Sequence, residues 1–311
     1  MDRTSRILLR KIIIDLVCLC LVGFSVLAFY LFGKPYHRGF FCDDDSINHP
    51  FKPSTVTSPM LYAVGILFPI CAMLVGEYFY ARNSNGQSSV VLFGKVIPPW
   101  VSLAYNKIGL FGFGSMASQV MTDIAKYTIG RLRPHFMDVC KPNIDCTLPQ
   151  YQHMYITDFT CTASNSTARM LKESRLSFPS GHSSFSAYAM VYLALYLQLR
   201  VTWKGSKLLK NVLQLICLMV AWFTAMSRVS DYKHHWSDVL AGLLLGIIAA
   251  LIMVFAVADL FKERRVPSSS IGTAHSEKLT TLDYDVEPGM QTLFPLTSPI
   301  SGTTTPSPTN K

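Results

Sequence analysis

An all-α, polytopic membrane fold is predicted by three observations: half of the 311 residues are hydrophobic, only 15% are charged, and mean hydropathy is positive at +0.30. Soluble domains carry about 25% charged residues. A helix that crosses a bilayer needs about 20 predominantly apolar residues, and six such runs stand at roughly 12–32, 60–80, 101–122, 183–199, 208–226 and 239–261.

The first run follows a basic stretch, roughly residues 1–11, and is too long for the apolar core of a cleaved signal peptide, about 7–15 residues, so a retained helix is expected. The second and third runs are continuous and apolar. The fourth is the shortest; Tyr188, Tyr192 and Tyr196 are amphipathic there, and Gln198 and Arg200 are expected to snorkel toward the interface. The fifth and sixth bracket a polar segment, 227–238, and a helical membrane domain over roughly 12–265 results. From about residue 266 to 311 the chain is rich in Ser, Thr and Pro without apolar periodicity, and a disordered cytoplasmic tail is expected.

Basic short loops stay in the cytoplasm. Arg3, Arg6, Arg10 and Lys11, then Arg82 and Lys95, then Arg200, Lys204, Lys207 and Lys210, and finally Lys262, Arg264 and Arg265 fall on one side of a six-span chain, which puts both termini in the cytoplasm. The sequon Asn165-Ser166-Thr167 lies in the long loop assigned to the other, luminal side, where a glycan is added. Cys42, Cys140, Cys146 and Cys161 share that side as an even set for disulfides, with three pairings equally open. No Cys-x2-Cys pair accompanies them as a zinc site would require. Cys18, Cys20, Cys71 and Cys217 lie in the apolar runs as small packing residues.

Three polar segments then fall at one membrane face: Lys126-x6-Arg133-Pro134, Pro179-Ser180-Gly181-His182 and Ser227-Arg228-x5-His234-x3-Asp238. A charge at a helix centre costs about 2.5–3.5 kcal/mol, so a cluster beside apolar runs marks a functional site. Lys126 and Arg133 share a face if the helix persists, and Gly130 allows a bend; as single cations they also fit a membrane boundary, and Arg131 fits either role. Pro179 to His182 opens a helix whose N–H groups suit an anion, although Ser180 is equally a plain N-cap. His234 and Asp238 are spaced i, i+4, and a carboxylate there can hold one imidazole nitrogen and leave the other aimed at phosphorus. His235 stands i, i+3 from the same carboxylate, so spacing alone does not choose between the two. Metal ligation by His234, His235 and Asp238 is the competing chemistry.

At these residues the chain resembles the type 2 phosphatidic acid phosphatase superfamily, and within it the animal lipid phosphate phosphatase (phospholipid phosphatase) branch. The three-part signature is present without substitution, and the likeness runs over roughly 10–265, including Lys34-Pro35-Tyr36-His37-Arg38-Gly39 and Asp123-Ile124-Ala125-Lys126. The resemblance implies His234 as a nucleophile forming phosphohistidine, Asp238 as its orienting partner and His182 as the acid that protonates the leaving alcohol. It assigns Lys126, Arg133, Arg228, Ser180 and the Gly181 N–H to the phosphoryl oxygens. It also implies no divalent metal and no cofactor, since fixed cations stabilise the transition state at about 3 kcal/mol per donor. Family members often carry a sequon at the loop cysteine; here that stretch reads Ile144-Asp145-Cys146-Thr147, and Asn165 lies further on.

The expected activity is therefore removal of phosphate from phosphatidate, lysophosphatidate, sphingosine 1-phosphate and ceramide 1-phosphate at the luminal or extracellular face. Partners are lipid phosphates and the bilayer, not nucleic acid; a homo-oligomer is compatible. The sequence supports a secretory-pathway membrane, and the resemblance points to the plasma membrane, with ER and Golgi membranes also compatible. Two rivals are a non-catalytic adhesion or signalling protein of the same fold, and a transporter in which Gly242-x3-Gly246 and Gly109, Gly112 and Gly114 mark moving helices rather than close packing.

Overall fold

A computed structural model describes residues 3–83, 90–200 and 207–257. The expected tail, 266–311, lies outside the described residues. Nine α-helices form in the described chain: α1 Arg3–Phe32, α2 Ser58–Tyr62, α3 Phe68–Asn83, α4 Pro99–Ile129, α5 Phe136–Cys140, α6 Ala168–Glu173, α7 Gly181–Arg200, α8 Lys207–Ser230 and α9 Trp236–Ile252. A π-helical turn, Ala63–Leu67, fuses α2 to α3, and another, Met253–Val257, extends α9. Four of the described helical stretches are long and apolar enough to cross a membrane: Ser5–Phe32, Ser58–Asn83, Leu208–Ser230 and Trp236–Val257. The other two expected runs are also helical, as α4 and α7.

The polarity of α7 has a different origin from the one expected. It is the central helix, packed on α9, α8, α4 and α3, and Tyr188, Tyr192 and Tyr196 are fully buried rather than interfacial. Their hydroxyls donate to the carbonyls of Phe111 at 2.9 Å, Lys107 at 3.4 Å and Met73 at 3.4 Å. Buried hydroxyls are tolerable only when bonded in this way. Arg200 likewise does not snorkel: it forks onto the buried Glu77 of α3 at 3.0 and 3.0 Å and lies 3.5 Å over the Tyr80 ring.

The contact of α7 with α9 depends on small residues. A Cβ at Gly242 would sit 2.5 Å from the Ser180 carbonyl oxygen, and one at Gly246 would run into the Ser184 carbonyl and approach the Ala187 Cβ at 2.9 Å. Both glycines therefore permit close helix packing. Gly109 and Gly112 have nothing within 4 Å and serve no such contact. Cys217 is buried, whereas Cys18, Cys20 and Cys71 lie on exposed helix surface.

The loops before α2 and between α4 and α7 build a cap at one end of the bundle. Phe40, Ile47, Leu132, Phe136, Ile156 and Phe159 form its own apolar cluster. Strands β1 Phe40–Phe41 and β4 Tyr155–Ile156 pair antiparallel across it, while β2 Val90–Leu92 and β3 Lys95–Ile97 form a hairpin before α4. Of the three open cysteine pairings, the structure has Cys42–Cys146 and Cys140–Cys161.

Candidate active site

The site is assembled where four chain segments end. Helix α4 stops at Gly130, whose left-handed φ of 58° suits a residue without Cβ and whose N–H caps the Lys126 carbonyl at 3.1 Å. The helix does not persist to Arg133. Lys126 stays in its last turn, and residues 131–133 run on outside any helix or strand, held by Arg133 N–H to the Ser174 carbonyl at 2.8 Å and Ser177 N–H to the Arg131 carbonyl at 3.0 Å.

Helix α7 begins beside them. The Ser180 hydroxyl oxygen accepts from the Ser183 hydroxyl at 2.8 Å and the Ser183 N–H at 3.4 Å, so the N-cap role is real. Its own N–H donates to the Asp238 carbonyl at 3.0 Å, tying this turn to α9. A Cβ at Gly181 would lie 2.8 Å from Lys126 Nζ, so glycine there makes room for the ammonium. His182 precedes the apolar run 183–199; it is hydrogen-bonded to the Val56 backbone, and its Nε2 is buried without a partner. Burial, then the charges of Arg228, Lys126 and Arg133, disfavour its protonation.

Arg228, 1% exposed, leaves the last turn of α8 and donates from Nη2 to Asp231 at 2.9 Å and to the Ser227 hydroxyl at 3.1 Å. Asp231 also accepts the Thr55 N–H at 2.8 Å and hydroxyl at 2.7 Å. The Arg228 carbonyl accepts the N–H groups of Lys233 and His234 at 3.0 and 3.2 Å, turning the chain back toward the site. Helix α9 starts only at Trp236, so His234 lies just before it and not on a shared helical face with Asp238. His235 caps the helix reciprocally with Asp238.

His234 is 3% exposed, with Nδ1 2.7 Å from the Ser177 carbonyl oxygen. A carbonyl only accepts, so Nδ1 carries the proton and Nε2 the lone pair. Desolvation, followed by Arg133, Lys126 and the His182 ring, holds its pKa well below the ordinary 6.5. Asp238, fully buried, approaches His234 Nδ1 to 4.0 Å and bonds instead to Arg131 at 2.6 Å, Ser177 Oγ at 2.6 Å and the His235 N–H at 3.0 Å. The three sequence segments thus meet at one end of the bundle.

Sequence reasoning did not single out Ser177, Thr55, Asp231 or His135. Asp231 was within reach as an i, i+3 partner of Arg228. Thr55 belongs to a strap, residues 49–56, that crosses the site: His49 N–H meets the Pro134 carbonyl at 2.9 Å, and Phe51 N–H meets Asp138 at 2.9 Å. His135, 2% exposed, sets Nδ1 2.7 Å from the Tyr232 carbonyl and is pushed by burial to a pKa of about 4. Asn165 is exposed on the same long loop that carries Arg133 and Ser177. Among the described residues no group of three or more His, Cys, Asp or Glu side chains could hold a metal ion.

Residues 107–262 match the model of the PAP2 superfamily. The chain is 52% identical over 274 residues to a Drosophila melanogaster protein carrying a provisional phosphatidate phosphatase name, covering 85% of this chain and 72% of that one. It is 41% identical to phospholipid phosphatase 1 of Rattus norvegicus over 82% of this chain and 87% of the relative, and 38% identical to phospholipid phosphatase 2 of Homo sapiens over 81% and 84%. No solved structure matched the chain.

Proposed function

The chain belongs to the PAP2 superfamily, and from that membership we propose that it is an integral-membrane lipid phosphate phosphatase working through a phosphohistidine. The observation that carries this reading is His234: its Nδ1 proton is spent on the Ser177 carbonyl, and its Nε2 lone pair is left for attack in the company of Lys126, Arg133 and His182. Neutral imidazole is the reactive form, and the cationic surroundings favour it.

The reaction balances on these groups. Nε2 of His234 attacks phosphorus, the ester P–O bond breaks, and His182 gives its proton to the departing alcohol oxygen. Water then attacks the phosphohistidine, returns a proton to His182, breaks the N–P bond and frees inorganic phosphate. An incoming phosphate dianion reverses the electrostatic bias against His182 protonation, so the acid is charged only when substrate is bound. Lys126, Arg133, Arg228, the Ser180 hydroxyl and the Gly181 N–H supply the donors that a divalent metal supplies elsewhere.

A lipid substrate fits the surroundings. A cavity of about 500 Å³ between Ser58–Leu67 and helices α7 and α8 is lined by Val56, Met60, Val64, Met190, Val220 and Thr224. Val56 touches His182 through its backbone, and the Thr224 carbonyl accepts the Ser227 hydroxyl beside Arg228, so an acyl chain lodged there has its phosphate end at the site. On this reading six helices span the bilayer with both termini cytoplasmic. The site and a glycan on Asn165 then face the lumen or exterior, with phosphatidate, lysophosphatidate, sphingosine 1-phosphate and ceramide 1-phosphate as the substrate class.

The test is inorganic phosphate release from lysophosphatidate in detergent micelles with excess EDTA, wild type beside His234→Ala. Wild type turns over, and the variant loses about three orders of magnitude or more, together with the acid-labile, alkali-stable phosphoenzyme trapped from labelled substrate. Equal turnover in both proteins removes His234 as nucleophile, and abolition by EDTA revives metal chemistry.

A further inference from the structure

The two residues expected to work as a histidine–carboxylate pair do not bond to each other. His234 Nδ1 and Asp238 are 4.0 Å apart, too far for a hydrogen bond, while the Ser177 carbonyl takes the imidazole proton at 2.7 Å. Ser177 is fully buried and held at three points: N–H to the Arg131 carbonyl at 3.0 Å, carbonyl to His234, and hydroxyl to Asp238 at 2.6 Å. Asp238 is saturated in turn, with one oxygen on Arg131 at 2.6 Å and the other on Ser177 Oγ, the His235 N–H and, at 3.1 Å, the titratable His235 Nδ1. Arg131 spends the same nitrogen on the Ser237 hydroxyl at 2.8 Å.

We propose that Arg131 and Ser177 are positioning residues for His234: Arg131 fixes the Asp238 carboxylate, Asp238 fixes Ser177, and the Ser177 carbonyl aims the imidazole. This rests on His234 being the nucleophile. It separates Arg131 from Arg133, two residues away: Arg131 is committed to a carboxylate and builds the site, whereas Arg133 has a buried Nε without a partner, no carboxylate at ion-pair distance, and Glu173, Arg228 and Asp238 acting on it only at longer range. The charged and titratable groups facing His234 are Lys126 of α4, Arg133, His182 of α7 and Asp238 of α9. Removing the Arg131 cation leaves the Asp238 charge less compensated, which favours imidazolium and takes the nucleophile out of its reactive form at higher pH.

Arg131→Gln, Ser177→Ala, the double variant and Arg131→Lys are compared with wild type and His234→Ala by kcat, KM, inhibition by inorganic phosphate and the pH profile of kcat/KM. Each of the first two lowers kcat about 10-fold or more, with KM and phosphate inhibition within about twofold. The double variant is no worse than the worse single, because both cut one chain of contacts. Arg131→Lys recovers activity, since one nitrogen makes both contacts, and Arg131→Gln moves the acid limb to higher pH. A kcat within about threefold of wild type overturns the proposal, as does a loss confined to KM and phosphate inhibition, which makes Arg131 a phosphate ligand. A fall in kcat without movement of the limb also overturns it, as general loosening. Should Arg131→Gln fail to fold, Ser177→Ala and Arg131→Lys decide by the same kcat and KM criteria. Turnover surviving in His234→Ala refutes the nucleophile itself; its loss there, with the other variants unchanged, refutes only the positioning role.

Discussion

Gly242→Ala offers a graded perturbation of the site from outside it. The new Cβ lies 2.5 Å from the Ser180 carbonyl oxygen, 3.1 Å from the Ser183 Cβ and 3.3 Å from the Ser184 N, where ordinary contact begins at 3.4 Å. The start of α7 must therefore retreat from α9 by roughly 0.9 Å, carrying Ser180, Gly181 and His182 away from His234 and Asp238. A misplacement near 1 Å costs about 100-fold in rate, and overpacking of this kind costs about 1–3 kcal/mol of stability. Phosphate release from lysophosphatidate by detergent-purified protein should fall by about 10- to 100-fold in kcat, with a lower unfolding temperature. Gly109→Ala and Gly112→Ala are the controls, because nothing lies within 4 Å of either site. There alanine should leave turnover intact and stabilise the helix by about 0.5–1 kcal/mol. Normal kcat in Gly242→Ala, or equal damage in Gly109→Ala, would refute the claim that the α7–α9 approach sets the catalytic spacing.

Two further outcomes follow from the same geometry. Asp231→Asn strips the carboxylate from Arg228, which is 1% exposed, and weakens both Thr55 contacts; breaking a buried pair costs about 3–5 kcal/mol, so the unfolding temperature and kcat fall together, while Thr55→Val costs only about 1 kcal/mol. A neutral result for Asp231→Asn in both assays counts against the strap as a support of Arg228. Because burial and the cations Arg133 and Lys126 hold the His234 pKa below 6.5, the neutral imidazole, the nucleophile on the proposed reading, persists as pH falls through 6.5 and is lost only below it. The wild-type profile of kcat/KM, which reports the free enzyme, should therefore keep its acid limb below pH 6.5, and a limb from this group at or above 6.5 contradicts the placement.

Much of this architecture was legible because its physics is periodic or local. Apolar run length gave helices at all six expected places, and the order of the three polar segments put them at one end of the bundle. What escaped was decided by tertiary contact. The short fourth run looked like a marginal span with interfacial tyrosines, yet those tyrosines bond to neighbouring helices because protein, not lipid, surrounds them. The i, i+4 spacing of His234 and Asp238 suggested a direct bond, but α9, capped by His235, starts at Trp236, two residues too late for a shared helical face. Ser177 has no spacing signal, because its role runs through its backbone carbonyl and an Oγ contact across 61 residues. The cysteine pairing was likewise undetermined until loop packing brought Cys42 to Cys146 and Cys140 to Cys161.

The cations gathered at the site differ in how they are paired. Arg131 and Arg228 face Asp238 and Asp231 at 2.6 and 2.9 Å, so each already has a carboxylate partner, and on the proposed reading Arg228 combines that pairing with its contact to the phosphoryl group. Lys126 and Arg133 form no ion pair among the described residues; desolvation lowers the pKa of both, only partly offset by Asp123 and Glu173 for Lys126 and by Glu173 and Asp238 for Arg133. Half-buried cations without a carboxylate at ion-pair distance carry a desolvation cost. On the proposed reading a phosphate dianion lowers that cost, since its two negative charges offset these two cations while donors at Ser180 and Gly181 complete the oxygens. The same accounting explains why His182 and His234 share one cationic site without competing. Burial and the cations disfavour charge on both before substrate binds; on the proposed reading, charge on His182 is favoured with the dianion present, and reaction transfers it to the leaving oxygen.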